Sequence, residues 1–161
     1  MDMTDTIPAR IDLQGKTRAE PGEFSCYWFE NRNVGLPRTR FCRFRIPLAP
    51  FDSGLDYEVQ PVKTEILIDW LPLDAASTQE LDGLRVSSES HPSMEGTLYL
   101  GSAHNWCEIK SLAIRRLDDK EVEATGELLV EFQNEGVALN ESFSFSTRLV
   151  CDFRATEENE S

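Results

Sequence analysis

The sequence predicts a mainly β domain, either an antiparallel barrel or a two-sheet sandwich, with a C-terminal meander and at most one short helix. Three observations predict it. Residues 122–132 alternate between apolar and polar side chains, residues 137–153 do so again, and all eight prolines lie between Pro8 and Pro92. Alternation with a period of two is typical of strands with one buried face. Because proline is excluded from strand interiors, the proline-free part can form long strands.

The meander is the clearest part of this prediction. In residues 122–132 the apolar residues and the glutamates separate onto two faces, with Leu129 as the exception. Residues 134–136, Asn-Glu-Gly, suit a three-residue hairpin loop with the glycine in the left-handed conformation. The chain then returns along 137–153, where aromatic and aliphatic residues alternate with serines and charged residues.

A second hairpin precedes this one. Residues 106–117 are predicted to form a strand that turns at residues 118–120 and enters the strand beginning at Val122. The alternation slips between Ile109 and Leu112, which indicates a β-bulge. A further short strand is predicted just before this hairpin, at residues 97–100.

The first half of the chain predicts shorter elements. Pro61 should confine the start of the last predicted strand to an edge or a loop. The one helix candidate is residues 74–84, with Asp74 as its N-cap and Gly83 near its end. The segments with strand composition are 10–14, 23–29, 40–46 and 57–70.

No linker or repeat divides the chain, so residues 1–161 are predicted to form a single domain. Flexible ends are expected at residues 1–6 and 155–161. The last six residues include three glutamates and are predicted to be disordered and solubilising.

The formal net charge of −13 disfavours two classes of partner. Nucleic-acid binding requires a basic surface that displaces counterions from phosphates. Anionic membrane surfaces would repel the chain for the same reason. No stretch approaches the roughly 20 apolar residues that span a bilayer, and the N-terminus has no secretory signal, so a cytoplasmic location is expected.

The four cysteines, Cys26, Cys42, Cys107 and Cys151, have no metal-site spacing and lie in apolar or aromatic runs. They are predicted to be buried structural thiols, since free cysteine behaves as a small hydrophobic residue. With only two histidines in the chain, neither a metal site nor a cofactor is predicted.

The strongest anomaly is a run of five arginines with no acid in residues 31–45: Arg32, Arg38, Arg40, Arg43 and Arg45. The rest of the chain holds 11 basic and 29 acidic residues. Strand alternation places Arg43 and Arg45 on one face and Arg40 on the other, with Cys42 and Phe44. Guanidinium groups bind carboxylates and phosphates through two parallel hydrogen bonds, so an anion site is one interpretation. The other is neutralisation by acidic neighbours, for which the glutamate face of residues 122–132 is a candidate.

A second constellation lies in residues 101–107, where His104, Trp106 and Cys107 fall close together. His104 and Trp106 are candidate ligand-binding residues, together with Arg38, Arg40, Arg43 and Arg45. A cysteine–histidine catalytic pair would require the two side chains to reach each other. The simpler interpretation is a loop that leads into a strand, with Trp106 and Cys107 entering the core.

The sequence has no catalytic motif, and it therefore favours a non-enzymatic binding or interaction protein. Its partner would be a protein or a small anionic ligand that meets the arginine strand. The alternative is a small-molecule carrier, with Trp28, Trp70 and Trp106, helped by Tyr27 and Phe29, lining a barrel mouth or interior. Oligomeric state cannot be read from the sequence.

Overall fold

Eight strands and two single-turn helices form the fold in the computed structural model, which describes residues 9–159. The helices are α1 (Leu13–Lys16) and α2 (Thr78–Leu81). The strands are β1 (Gly22–Asn31), β2 (Leu36–Pro47), β3 (Glu65–Pro72), β4 (Arg85–Val86), β5 (Glu95–Leu100), β6 (Ala103–Arg116), β7 (Glu121–Val130) and β8 (Glu141–Asn159).

Seven of the strands close into a ring, so the architecture is a barrel. The order around the ring is β6-β5-β3-β2-β1-β8-β7, and β7 returns to pair with β6. The short strand β4 pairs with residues 112–113 of β6, on the same edge of β6 that pairs with β5 through residues 103–107. All neighbours are antiparallel except β1 and β8, which run parallel. Closure leaves few unpaired strand edges, and it confirms the mainly β prediction.

The C-terminal meander is confirmed, including its bulge. Inward-facing side chains of β7 and β8 are buried at every second residue, from Val122 to Val130 and from Phe143 to Leu149. The register of β6 against β7 shifts between Ile109 and Ser111, so the buried positions change from odd to even numbers there. This shift is the reason for the slip in the sequence pattern.

The loop between β7 and β8 is longer than predicted. Gly136 has the expected left-handed conformation, with φ of 70°. However, the strand pairing ends at Val130 and Glu141, and the intervening segment contains a 3₁₀ helix at Phe132–Glu135. Phe132 is fully buried beneath this loop, and its packing explains why a tight three-residue turn does not form here.

The helix predicted at residues 74–84 is wrong in its start and length. Only Thr78–Leu81 is helical, and Ser77 rather than Asp74 is the N-cap, because the Ser77 side chain accepts a hydrogen bond from the Glu80 amide. The next residues leave the helix and the Gly83 amide bonds to the Ile114 carbonyl of β6. Pairing with the sheet therefore competes successfully with the local helix propensity.

Residues 10–14, predicted as a strand, are a loop at 10–12 followed by the first two residues of α1. Their position is fixed by β8, since both carboxylate oxygens of Glu141 accept from the backbone amides of Asp12 and Leu13. Gln14 forms two hydrogen bonds with the backbone of Ser144. Side chains thus replace the backbone ladder that a strand would have made.

The predicted disordered tail also differs from the structure. β8 continues through residues 156–159, which pair with residues 27–30 of β1. The rest of the predicted flexible ends, residues 1–6 and 160–161, lies outside the described residues.

The interior of the ring is packed with aliphatic and phenylalanine side chains. Phe24, Phe44, Ile68, Leu98 and Phe143 are at most 1% exposed and belong to one hydrophobic cluster. Cys26, Cys42 and Cys107 are buried in the same cluster, as predicted, whereas Cys151 is half-buried. Trp28, Trp70 and Trp106 do not belong to it, which leaves them for the ends and the outer surface of the barrel.

Candidate functional site

The pleat of β2 divides its arginines between two environments. Phe41, Arg43 and Arg45 project outward, whereas Cys42 and Phe44 project into the core, as the alternation predicted. Arg38 and Arg40 project from the same face of β2 as Cys42, but they lie where β1 and β2 extend past the packed interior. They therefore reach the mouth of the barrel instead of its core.

At this mouth lies an open cleft of about 470 Å³, here called the arginine–tryptophan cleft. Trp28 of β1 is directly opposite Arg40 of β2 in the strand register, so one face of the hairpin supplies both side chains. The lining residues are Trp28, Arg38, Thr39, Arg40, Pro72, Leu73 and Asp74. The cleft combines a half-buried aromatic surface with two guanidinium groups.

Arg38 lies over the face of Trp28, with its guanidinium carbon 4.1 Å from the ring centroid. It also donates two hydrogen bonds, of 3.0 Å and 3.2 Å, to the carboxylate of Glu157 near the end of β8. These hydrogen bonds raise the pKa of Arg38 above its ordinary value. Both side chains of the pair are about half exposed, so solvent screens their attraction.

Arg40 has a different set of partners. Its guanidinium donates to two backbone carbonyls, those of Leu73 at 3.0 Å and Phe153 at 3.1 Å. No carboxylate of the described residues pairs with it. Arg40 is therefore a half-buried cation whose hydrogen bonds go to backbone carbonyls, and Asp74, which also lines the cleft, forms no ion pair with it.

Cys26 and Cys42 are directly opposite each other just inside the cleft, with their Sγ atoms 3.3 Å apart. The hydrogen bond between the thiols lowers the pKa of Cys26, and the nearby charge of Arg40 acts in the same direction. The same hydrogen bond, together with burial, raises the pKa of Cys42. Both side chains are almost completely buried, and neither thiol is among the residues that line the cleft.

The other face of β1 and β2 carries what we call the outer aromatic cluster: Tyr27, Phe29, Phe41, Arg43, Asp69 and Trp70. The Asp69 carboxylate accepts from the Tyr27 hydroxyl at 2.6 Å and from Nε of Arg43 at 3.0 Å. Arg43 also lies over the Tyr27 ring, at 4.5 Å from its centroid. Burial and the hydrogen bond to Asp69 raise the pKa of Tyr27. This cluster satisfies its own polar groups.

A bulge in β3 places Asp69 and Trp70 in the outer aromatic cluster. Between the pairs Cys42–Leu71 and Phe44–Ile68, two residues of β3 oppose the single residue Arg43. Trp70 has a φ of 62°, a left-handed conformation that is rare for a bulky side chain. The bulge brings both side chains to one face, so Trp70 packs edge-on against Phe41 while Asp69 meets Arg43.

Neutralisation by acidic neighbours accounts for most of the predicted arginine cluster. Arg43 pairs with Asp69 and, at 3.6 Å, with Glu158, while Arg45 pairs with Glu65. The suggested source of these acids, the glutamate face of residues 122–132, is wrong. β7 is not a neighbour of β2, and two of its glutamates, Glu121 and Glu123, pair instead with Arg148 and Arg115.

His104 and Trp106 lie far from the arginines. Both are on the outer face of β6, which β5 and β3 separate from β2. Trp106 is 44% exposed, so the expectation that it enters the core is wrong. His104 packs beside the Tyr99 ring, at 4.7 Å between centroids.

His104 and Cys107 do not form a nucleophile–base pair. Three residues apart on one strand, they project from opposite faces, and Cys107 is fully buried among core residues. Burial raises the pKa of Cys107 to about 12, which is the opposite of what an activated thiol needs.

The aromatic residues predicted to line a barrel mouth or interior divide between the mouth and the outer face. Trp28 is at the mouth, in the arginine–tryptophan cleft, whereas Phe29 and Trp70 contact each other on the outer face. The interior that a small-molecule carrier would need is occupied by core side chains such as Phe24 and Phe44.

Sequence reasoning gave Asp69 and Glu157 no role, and it assigned Asp74 to a helix N-cap instead of the cleft lining. Asp69 and Asp74 are isolated acids in apolar surroundings, and nothing in one sequence identifies the strand that will face them. Glu157 lies in a tail whose composition is typical of a solubilising end. Pairing of residues 156–159 with β1 is what brings it to Arg38.

The described residues hold no group of three or more histidine, cysteine or acidic side chains placed to bind a metal ion. Within residues 9–159, no helix is both long enough and apolar enough to cross a bilayer. Comparisons with protein-family models, curated proteins and solved structures find no match to this chain.

Proposed function

We propose that the protein is a non-enzymatic binding protein that recognises a carboxylate-bearing partner at the arginine–tryptophan cleft. The observation that carries the proposal is Arg40, a half-buried cation with no carboxylate partner among the described residues. A buried charge of this kind is stabilised when an anion completes its coordination. Two of its N–H groups already bond to carbonyls, which fixes the guanidinium plane before a ligand arrives.

The rest of the cleft fits a carboxylate attached to a larger group. Trp28 supplies an apolar surface beside the two guanidinium groups, and aromatic surfaces of this kind dominate binding energies. Because the whole chain carries a net charge of −13, an acidic partner is repelled at long range. Close contact with Arg38 and Arg40 has to offset this repulsion, which favours a specific geometry over general charge attraction.

Because the net negative charge repels polyanions, we do not propose nucleic acid or anionic membranes as partners. Free thiols at Cys26, Cys42, Cys107 and Cys151 are what a cytoplasmic protein would carry, so we place the proposed activity in the cytoplasm.

The test is calorimetric titration of the full chain with tetraglutamate at low ionic strength. We expect saturable binding that Arg40→Gln weakens about tenfold, the equivalent of one charge-assisted hydrogen bond. Arg45→Gln is the matched control, because Arg45 lies on the same strand but pairs with Glu65 outside the cleft. Its effect should stay within about twofold.

Two results would overturn the proposal. One is the absence of saturable binding to the wild-type protein. The other is an equal loss in the Arg40→Gln and Arg45→Gln variants, which would mean that net charge alone attracts the peptide.

A further inference from the structure

The end of β8 already occupies the arginine site as a ligand would. Glu157 makes two hydrogen bonds to Arg38 on the cleft side, and Glu158 lies 3.6 Å from Arg43 on the outer side. Successive side chains of a strand point to opposite faces, so two consecutive acids reach arginines on both faces of the hairpin. A short acidic segment is therefore what this surface holds in the structure.

The backbone of residues 156–159 makes different strand pairings from the rest of β8. Residues 156–159 pair in parallel with residues 27–30, after a register shift in which Cys26 alone lies opposite three residues of β8. The pairing of β7 with β8 ends at Val150, apart from one hydrogen bond from the Cys151 amide to the Lys120 carbonyl. Among residues 9–159, the segment 156–159 thus has β1 as its single neighbouring strand.

The two ion pairs of the segment, Arg38–Glu157 and Arg43–Glu158, are weak enough to be replaced by ion pairs with another carboxylate. The carboxylates of Glu157 and Glu158 are 54% and 42% exposed, and exposed pairs contribute little against solvent. A strand segment that is bonded on one side only opens with a small fraction of the global unfolding free energy. When it opens, the N–H and C=O groups of residues 27–30 become available on that edge.

Resting on the proposed function, we propose that the partner is an extended acidic peptide segment that adds as a strand beside β1 in place of residues 156–159. Its backbone pairs with residues 27–30, and two consecutive carboxylates replace those of Glu157 and Glu158 at Arg38 and Arg43. One carboxylate lies beside Arg40 and Trp28 in the cleft. The chain's own residues 156–159 then act as an internal competitor that limits affinity until a better acidic segment displaces them.

The first measurement is binding of a synthetic peptide with the sequence of residues 155–161 to the full chain and to its Glu157→Gln/Glu158→Gln variant. The variant should bind about tenfold more tightly than the wild type, because its internal competitor has lost both ion pairs. A control peptide with glutamine at the positions of both consecutive glutamates should bind neither protein measurably.

The second measurement uses hydrogen exchange of the wild-type backbone amides and so needs no variant. On saturation with the acidic peptide, amides of residues 156–159 should exchange about tenfold faster, while those of residues 27–30 stay protected. Peptide binding that depends on Arg40 but leaves exchange in 156–159 unchanged would overturn strand addition and leave the proposed function standing. If neither tetraglutamate nor the peptide binds, the proposed function falls together with this inference.

Discussion

The two faces of the β1–β2 hairpin carry the same kinds of residue, aromatics and arginines, yet they differ in how far those groups are satisfied. On the outer face, Arg43 meets Asp69, Tyr27 and Glu158, and its aromatic neighbours cover it. On the cleft face, Arg40 bonds only to carbonyls and Arg38 holds an exposed glutamate. One arginine-rich strand therefore has its charge paired on the outer face, while on the cleft face it keeps a guanidinium group, that of Arg40, without a carboxylate partner among the described residues.

The largest expected difference between the faces is in the stability lost on substitution, and it is expected for Asp69 on the outer face. Asp69→Ala would leave Arg43 and Tyr27 without their buried acceptor, so the free energy of unfolding should fall by about 3 kcal/mol. Arg38→Ala, on the cleft face, removes an exposed pair and should lower the free energy of unfolding by less than about 1 kcal/mol. Urea denaturation of both variants measures this, and equal losses would erase the distinction between structural and available arginines.

A smaller effect is expected from Tyr27→Phe, which removes the 2.6 Å hydrogen bond to Asp69. At pH 7 the loss should be about 1.5 kcal/mol of unfolding free energy, as for a hydrogen bond to a charged group. Because burial and Asp69 raise the pKa of Tyr27 in the folded state, its stabilisation is complete below the unfolded value and is lost as pH rises above about 10. The gap between wild type and variant should therefore narrow in alkali, and a gap that widens would contradict the assignment.

The smallest expected effect is a difference in stability between two substitutions of Trp70. Both Trp70→Gly and Trp70→Ala lose the contacts with Phe29 and Phe41, but only glycine adopts a φ of 62° without a steric cost. Trp70→Gly should be more stable than Trp70→Ala by about 1 kcal/mol, the reverse of the usual order in a strand. Thermal unfolding compares the two, and a more stable alanine variant would mean that the bulge relaxes when the indole is removed.

Much of the fold follows from alternation, which is a local property. The strand β7, the part of β8 up to Phe153 and the bulge near Ile109 could be predicted because each inward position must be apolar, whatever its partner strand is. The helix at 74–84 could not be placed, since pairing of the following residues with β6 outweighed local propensity. The end of β8 was mistaken for disorder because acidic composition does not reveal a neighbouring arginine strand.

A mainly β chain, a strong net negative charge and a concentration of five arginines between residues 31 and 45 all follow from the sequence. It also determined that Arg40 and Arg43 face opposite sides, because the side-chain period of a strand is two. Only the tertiary structure decided which acids reach which arginines, since β3 and β8 supply them from distant parts of the chain. Charge pairing depends on the order of strands in the ring, and strand order is a property of the whole fold.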